Sequence, residues 1–289
     1  MRRIYDIEQL HYYASLFSGS IISRFMKFND NTLIRNLLLK YDSDLISPSL
    51  TYWNYLEHVY KVLEKNYRNE YVYKNTFITE WLIKEYSLKD TIAFSEFRIG
   101  SAIADLALFN GASKAFEIKT ELDNNKRLLA QLEEYSKLME ECYIVVPEEL
   151  VCKYLVDIPS SVGILSVKRG PRSLKIESRR NAQKNTSVDI DVLMSTIRCN
   201  EYKWMTMQAY GHLPDVNCFE LFDACKDLLR QLPANKLHQL FLEAIKSRKN
   251  ITPKLKDIPK PARQICLAMD ISEKNFITLN KLYNQPISV

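Results

Sequence analysis

Apolar residues in the first seventy positions recur mainly at helical spacing, as at Tyr52, Leu56, Val59, Tyr60 and Leu63, with polar interruptions at Asn29-Asp30-Asn31 and Ser47-Pro48-Ser49. An apolar stripe every three or four residues marks an amphipathic helix, so residues 1–75 are expected to form a helical region. A further helix is expected over Thr76–Tyr86, where Phe77, Trp81 and Ile83 are apolar and Glu80 and Lys84 stand four apart on one face. The period then falls to two. Phe94–Ile99, Ile103–Phe109 and Lys114–Thr120 read as three strands, the last two joined by the hairpin signal Asn110-Gly111. Helical spacing returns over Asn124–Glu140, and Cys142–Val146 reads as a buried strand ended by Pro147. A short helix through Val151 and Leu155 and a strand at Val162–Val167 follow. Asn181–Val188 reads as a polar linker, and the chain is helical again from Ile190 to about Ser247. The order helix, three strands, helix, strand, helix, strand predicts an α/β core with a mixed central sheet flanked by helices. The expected domains are residues 1–75, a core at 76–180 and a helical C-terminal subdomain at 189–289.

Composition narrows this little. With 46% apolar and 26% charged residues in 289, the chain has ordinary globular character. The net charge of +5 permits a polyanionic partner without demanding one. The six cysteines form no CxxC pair and the four histidines are scattered, so the thiols are expected to be reduced and mostly packed, and the histidines structural or superficial. No apolar run approaches the roughly 18 residues that span a bilayer, and the N-terminus leads into no apolar leader segment, which together give the expectation of a cytoplasmic protein without a membrane partner.

Candidate chemistry lies where charge interrupts apolar strands. Asp105 sits in Ile103-Ala104-Asp105-Leu106-Ala107, where a buried strand would hold Val or Leu. On the next strand Glu117 and Lys119 share one side while Phe116 and Ile118 take the other. Residues two apart on a strand are about 6.6 Å apart, so Asp105, Glu117 and the carbonyl of Ile118 can converge on one hard cation with Lys119 beside it. Such a set suits hydrolysis of a phosphodiester: the cation stabilises charge on phosphorus oxygens, and the lysine positions or deprotonates the nucleophile. An ion pair between neighbouring strands is the structural alternative.

Ala104-Asp105, Glu117-Ile118-Lys119 on the following strand and Gln131 in the next helix resemble the motif of the PD-(D/E)XK, or restriction-endonuclease-like, superfamily, with Ala104 in place of the motif's proline. The match covers roughly residues 76–168. The strings Ser95-Glu96-Phe97-Arg98 and Gln131-Leu132-Glu133-Glu134-Tyr135 resemble an uncharacterised bacterial branch. The resemblance implies an αβββαβ restriction-endonuclease-like core, metal ligation by Asp105 and Glu117, a catalytic Lys119, assistance from Glu80 and Gln131, and Mg²⁺ as cofactor with Mn²⁺ able to substitute. It implies a metal-dependent endonuclease, DNA being expected over RNA, in a defence, toxin or mobile-element setting. A homodimer or a regulatory protein partner fits that activity. A non-catalytic nucleic-acid-binding or protein-interaction module on the same fold is the alternative.

Other residues are weighed around this centre. Arg127, Gln131 and Tyr135 lie at helical spacing, so Arg127 and Tyr135 are candidates for nucleic-acid contact. Glu80 equally makes an exposed pair with Lys84, and Asp123 is expected to cap the helix that follows it. Glu96 and Arg98, two apart on a strand, suggest an edge ion pair or a contact to the site. Two basic clusters, one with Lys168, Arg169, Arg172, Lys175, Arg179, Arg180 and Lys184 and one with Lys246, Arg248, Lys249, Lys254, Lys256, Lys260 and Arg263, are candidates to track a phosphate backbone.

Overall fold

The computed structural model describes residues 4–123, 125–171 and 173–288, which leaves Arg172 outside the described residues. The chain forms two compact units, one holding residues up to Glu85, Arg169–Ile176 and the chain from Asn250 onward, the other Tyr86–Lys168 with Glu177–Lys249.

In the first unit α1 (Ile7–Ser15), α2 (Gly19–Phe28), α3 (Thr32–Tyr41) and α4 (Tyr52–Asn66) follow the helical spacing of the sequence. Thr51 opens α4 through a reciprocal hydrogen-bonding cap with Asn54. Asp42 is fully buried and is made tolerable by the hydroxyls of Tyr13 and Tyr55, which donate to its Oδ2 at 2.6 and 2.8 Å. α5 (Glu70–Phe77) begins earlier than the expected Thr76 and runs through a π-helical turn at Ile78–Leu82 into α6 (Ile83–Glu85).

Most of a six-stranded sheet lies in the second unit, its strands in chain order: β1 (Ile92–Ile99), β2 (Ala102–Phe109), β3 (Ser113–Ile118), β4 (Glu141–Pro147), β5 (Gly163–Arg169) and β6 (Leu174–Arg180), of which Arg169 and Leu174–Ile176 are assigned to the first unit. β1, β2 and β3 are joined antiparallel, and β3, β4 and β5 run parallel. This is the mixed α/β sheet expected. Crossovers through α7 (Leu128–Ser136) and α8 (Val151–Asp157) make the parallel pairings possible. α9 (Ile190–Thr196), α10 (Cys199–Tyr210), α11 (Leu221–Arg230) and α12 (Ala234–Lys246) extend the same core with Leu193, Met205, Leu229 and Phe241.

In the first unit, α13 (Arg263–Ala268) and α14 (Glu273–Tyr283) pack with the N-terminal helices. Tyr283 packs against Phe25 and Trp53, and the Trp53 indole N–H donates to Asn280 Oδ1 at 2.9 Å.

Some expectations need correction. The basic run after Lys168 contains β6, a sheet-end strand on which charged residues blunt edge pairing. The helix expected from Asn124 to Glu140 spans only Leu128–Ser136 because a turn, described below, occupies the residues after Lys119. The thiols are not mostly packed: Cys142, Cys225 and Cys266 are buried, but Cys152, Cys199 and Cys218 are exposed. Among the described residues no helix is long and apolar enough to cross a membrane.

Candidate functional site

A paired change of phase in β1 and β2 creates the site. Ile92 and Phe94 face the unit's main core, and so do Phe97 and Ile99, so inward positions shift from even to odd between Phe94 and Phe97. Glu96 absorbs that shift with φ +56°, a left-handed conformation that a β strand otherwise lacks. On β2 the inward set changes from Phe109 and Ala107 to Ala104 and Ala102, with Asp105 inside the change. Ser95 pairs with Leu106 and Phe97 with Ala104, which places Glu96 across from Asp105.

β2 and β3 part company at the same level. Their pairing runs from Phe109–Ser113 to Leu106–Phe116 and then stops. The Asp105 carboxylate fills the gap, its Oδ2 accepting the Ile118 backbone N–H at 2.7 Å. Glu117 projects to the face covered by α7 and is only 3% exposed. Lys119 Nζ donates to Glu117 Oε1 at 2.9 Å. The Tyr135 hydroxyl lies 2.7 Å from both Glu117 Oε2 and the Ile103 carbonyl, so one proton serves two acceptors. Gln131 Nε2 donates to that hydroxyl over 3.4 Å. The Lys119 backbone N–H donates to Val145 O at 2.9 Å, anchoring the residue to β4.

Electrostatics follow from crowding. Burial foremost, and then the charge of Asp105, push the Glu117 carboxyl above its ordinary pKa, with Lys119 and Tyr135 opposing. Burial alone would lower the Lys119 pKa, but Glu117, Asp105 and Asp123 together raise it, so Lys119 is an ammonium at neutral pH. Burial and Glu117 raise the Tyr135 phenol, which therefore stays protonated as a donor.

The side-chain donors gathered here, the buried Glu117 and the partly exposed Asp105, are hard oxygens. That set fits a divalent cation such as Mg²⁺, which keeps several waters and needs few protein ligands. Among the described residues no cluster of three or more His, Cys, Asp or Glu side chains is placed to hold a metal. A cation here would draw its further ligands from the Ile118 carbonyl and water.

The structure brings Asp105, Glu117, Lys119, Gln131 and Ile118 together and treats the other candidates differently. Tyr135 is fully buried and bound to Glu117, so the expected nucleic-acid contact is replaced by a role inside the protein. Asp123 does not cap α7. Arg127 holds the N-cap position, while Asp123 Oδ2 accepts the Thr120 N–H at 2.7 Å and closes a turn directly after Lys119.

Glu96 and Arg98 are both exposed and form no ion pair among the described residues. Arg127 is exposed, and Arg169 is exposed at the end of β5. Lys168 is paired with Glu177, and Arg179 with Glu148 at 2.6 Å. In the second basic cluster Arg248 grips Glu201 through two bonds of 2.7 Å, and Lys254 and Lys260 pair with Glu273 and Glu64. These paired charges are thus partly neutralised in place. Glu80 belongs to the first unit, inside the π-helical turn, and pairs with Lys84.

Sequence reasoning missed the Ile103 carbonyl and Thr120, which act through the backbone and leave no residue-type signal. The spacing Ile92, Phe94, Phe97, Ile99 did carry a readable trace of the phase shift at Glu96.

The family model described as bacteriophage P4 protein cII matches residues 63–257. A curated relative, Protein cII of Enterobacteria phage P4, is 28% identical over 178 residues, covering 61% of this chain. The matched part spans 66% of that relative's length, a little under two thirds. A solved protein of unknown function from Silicibacter pomeroyi aligns over 51% of this chain and 94% of its own, at 14% identity and a TM-score of 0.32, too slight a likeness to bear on fold or function.

Proposed function

This chain belongs to the bacteriophage P4 protein cII family, and within it we propose a divalent-cation-dependent nuclease with a PD-(D/E)XK-like core, cutting DNA in preference to RNA. One observation carries the reading: Asp105, Glu117 and Lys119 meet at the diverging ends of two strands, the two carboxylates close enough that one raises the pKa of the other. A second carboxylate beside the buried Glu117–Lys119 pair costs stability that a bound cation would offset. The phage origin of the relatives fits a mobile-element setting.

Asp105, Glu117 and the Ile118 carbonyl would hold the Mg²⁺. When bound, the cation supplies a Lewis acid that stabilises charge on a phosphodiester and promotes ionisation of water. Lys119, an ammonium at neutral pH, orients the nucleophile and offsets charge on the phosphate instead of accepting a proton. Tyr135 fixes the Glu117 carboxylate, and Asp105 ties the site to the β3 backbone through Ile118.

Labelled DNA and RNA incubated with the purified protein test this. Cleavage of DNA with Mg²⁺ or Mn²⁺, arrest by EDTA and loss in Lys119→Ala are expected. Undiminished cleavage by Lys119→Ala rejects the assigned chemistry, and faster cleavage of RNA than of DNA rejects the substrate.

A further inference from the structure

Glu96 has no place in the chemistry above, yet its backbone is the most unusual feature of the sheet. A non-glycine residue at φ +56° in mid-strand persists only where the surroundings hold it there. Asn29 and Asp270, the other such residues described, are of the types that tolerate this conformation, and Asn29 ends a helix. Glu96 is neither of that type nor at a helix end.

The surrounding register shows what the conformation accomplishes. Were β1 regular from Ile92 and Phe94 onward, Glu96 and Arg98 would point into the core and Phe97 and Ile99 out of it. The left-handed residue reverses this, burying Phe97 and Ile99 while leaving Glu96 and Arg98 exposed. The pairs Ser95–Leu106 and Phe97–Ala104 clamp β2 on either side of Asp105, so the kink in β1 is imposed on β2 at that residue. There β2 leaves β3 and the Asp105 carboxylate, not a strand carbonyl, receives the Ile118 N–H.

We propose that Glu96 is a positioning residue: its left-handed backbone holds the kink in β2 that aims the Asp105 carboxylate at Ile118 N–H beside Glu117. The positioning stands on the geometry of β1 and β2, and its meaning for a cation rests on the nuclease reading. The requirement falls on the backbone, so Gly and Asn, which enter the left-handed region readily, serve in place of Glu, and Val, which does not, fails.

Amide hydrogen exchange followed by NMR in Glu96→Gly, Glu96→Asn and Glu96→Val tests this. The Ile118 amide reports the bond to Asp105, and the Lys119 amide, bonded to Val145 O in the adjoining ladder, is the internal reference. In Glu96→Val the Ile118 amide is expected to exchange about tenfold faster, on the order of the loss of one bond to a charged acceptor, with Lys119 changed less than about twofold. Gly and Asn variants are expected to match the parent. If the valine variant does not fold, Glu96→Ala replaces it in the same comparison. Equal Ile118 exchange in all variants overturns the proposal, and so does equal acceleration of Ile118 and Lys119, which would mark a merely structural role.

Calorimetric titration of Mg²⁺ into the same proteins separates the two readings. Affinity lost in the valine variant alone supports both. No uptake by the parent, with the exchange pattern intact, removes the nuclease reading and leaves the positioning role.

Discussion

Replacing Tyr135 with Phe removes one oxygen and leaves the ring in the core. The hydroxyl stands 2.7 Å from both Glu117 Oε2 and the Ile103 carbonyl, and no water can take its place readily beside a tyrosine with no exposed surface. Losing a buried hydrogen bond to a charged group costs about 1.5–3 kcal/mol, while one missing oxygen adds little cavity. At about 2–4 °C per kcal/mol for a sizeable domain, Tyr135→Phe is expected to lower Tm by about 5 °C near pH 7.5 in the cation-free protein. The deficit has a direction with pH. Glu117 already ionises with difficulty because of burial and Asp105, and the phenol favours its charged form. The deficit should therefore be full where Glu117 is ionised and shrink as pH falls through its raised folded pKa. Thermal unfolding followed by circular dichroism between pH 5 and 8 reads both effects. A Tm within about 1 °C of the parent at pH 7.5 would refute the reasoning, since the hydroxyl would then not be engaged with Glu117.

Asp42→Asn, which weakens the bonds from Tyr13 and Tyr55, should cost about 2 kcal/mol at pH 7, read by urea unfolding. Burial presses the Asp42 pKa upward, but His58, Tyr13 and Tyr55 more than reverse this and leave it lowered. Its stabilisation is accordingly present above the ordinary aspartate pKa of 3.8 and lost as pH falls through the lower folded value, so the penalty of Asp42→Asn should diminish in strong acid. Arg248→Lys breaks a two-bond grip on the buried Glu201 that a single ammonium cannot reproduce, and a loss of about 2 kcal/mol is expected in the same assay. Lys84→Ala should change stability by less than about 0.5 kcal/mol, because the lysine end of its pair with Glu80 is exposed even though Glu80 itself is largely covered; a larger loss would mean that the π-helical turn depends on it.

Elements with strong periodicity were legible in the sequence, and so was the meeting of Asp105, Glu117 and Lys119, because charge in an apolar strand is costly without a partner. β6 was obscured by its own Lys and Arg residues, which a strand at the end of a sheet tolerates. The start of α7 was misplaced because Asp123, an ordinary capping residue, bonds Thr120 instead and delays the helix by several positions. Tyr135 shows the limit of spacing: i, i+4 placement relates it to Gln131 but does not say that the shared face points inward. The packing of Asn280 and Tyr283 against Trp53 joins residues more than two hundred positions apart, and no local pattern encodes it.

Cleavage of labelled DNA by the parent and by Asp105→Ala, each with Mg²⁺ and with EDTA, tests the central claim most directly. The expected result is Mg²⁺-dependent cutting by the parent and a rate at least about a hundredfold lower in the folded variant, a typical loss for a group that stabilises the transition state. Cutting by Asp105→Ala at the parent's rate, or cutting that persists in EDTA, would contradict it.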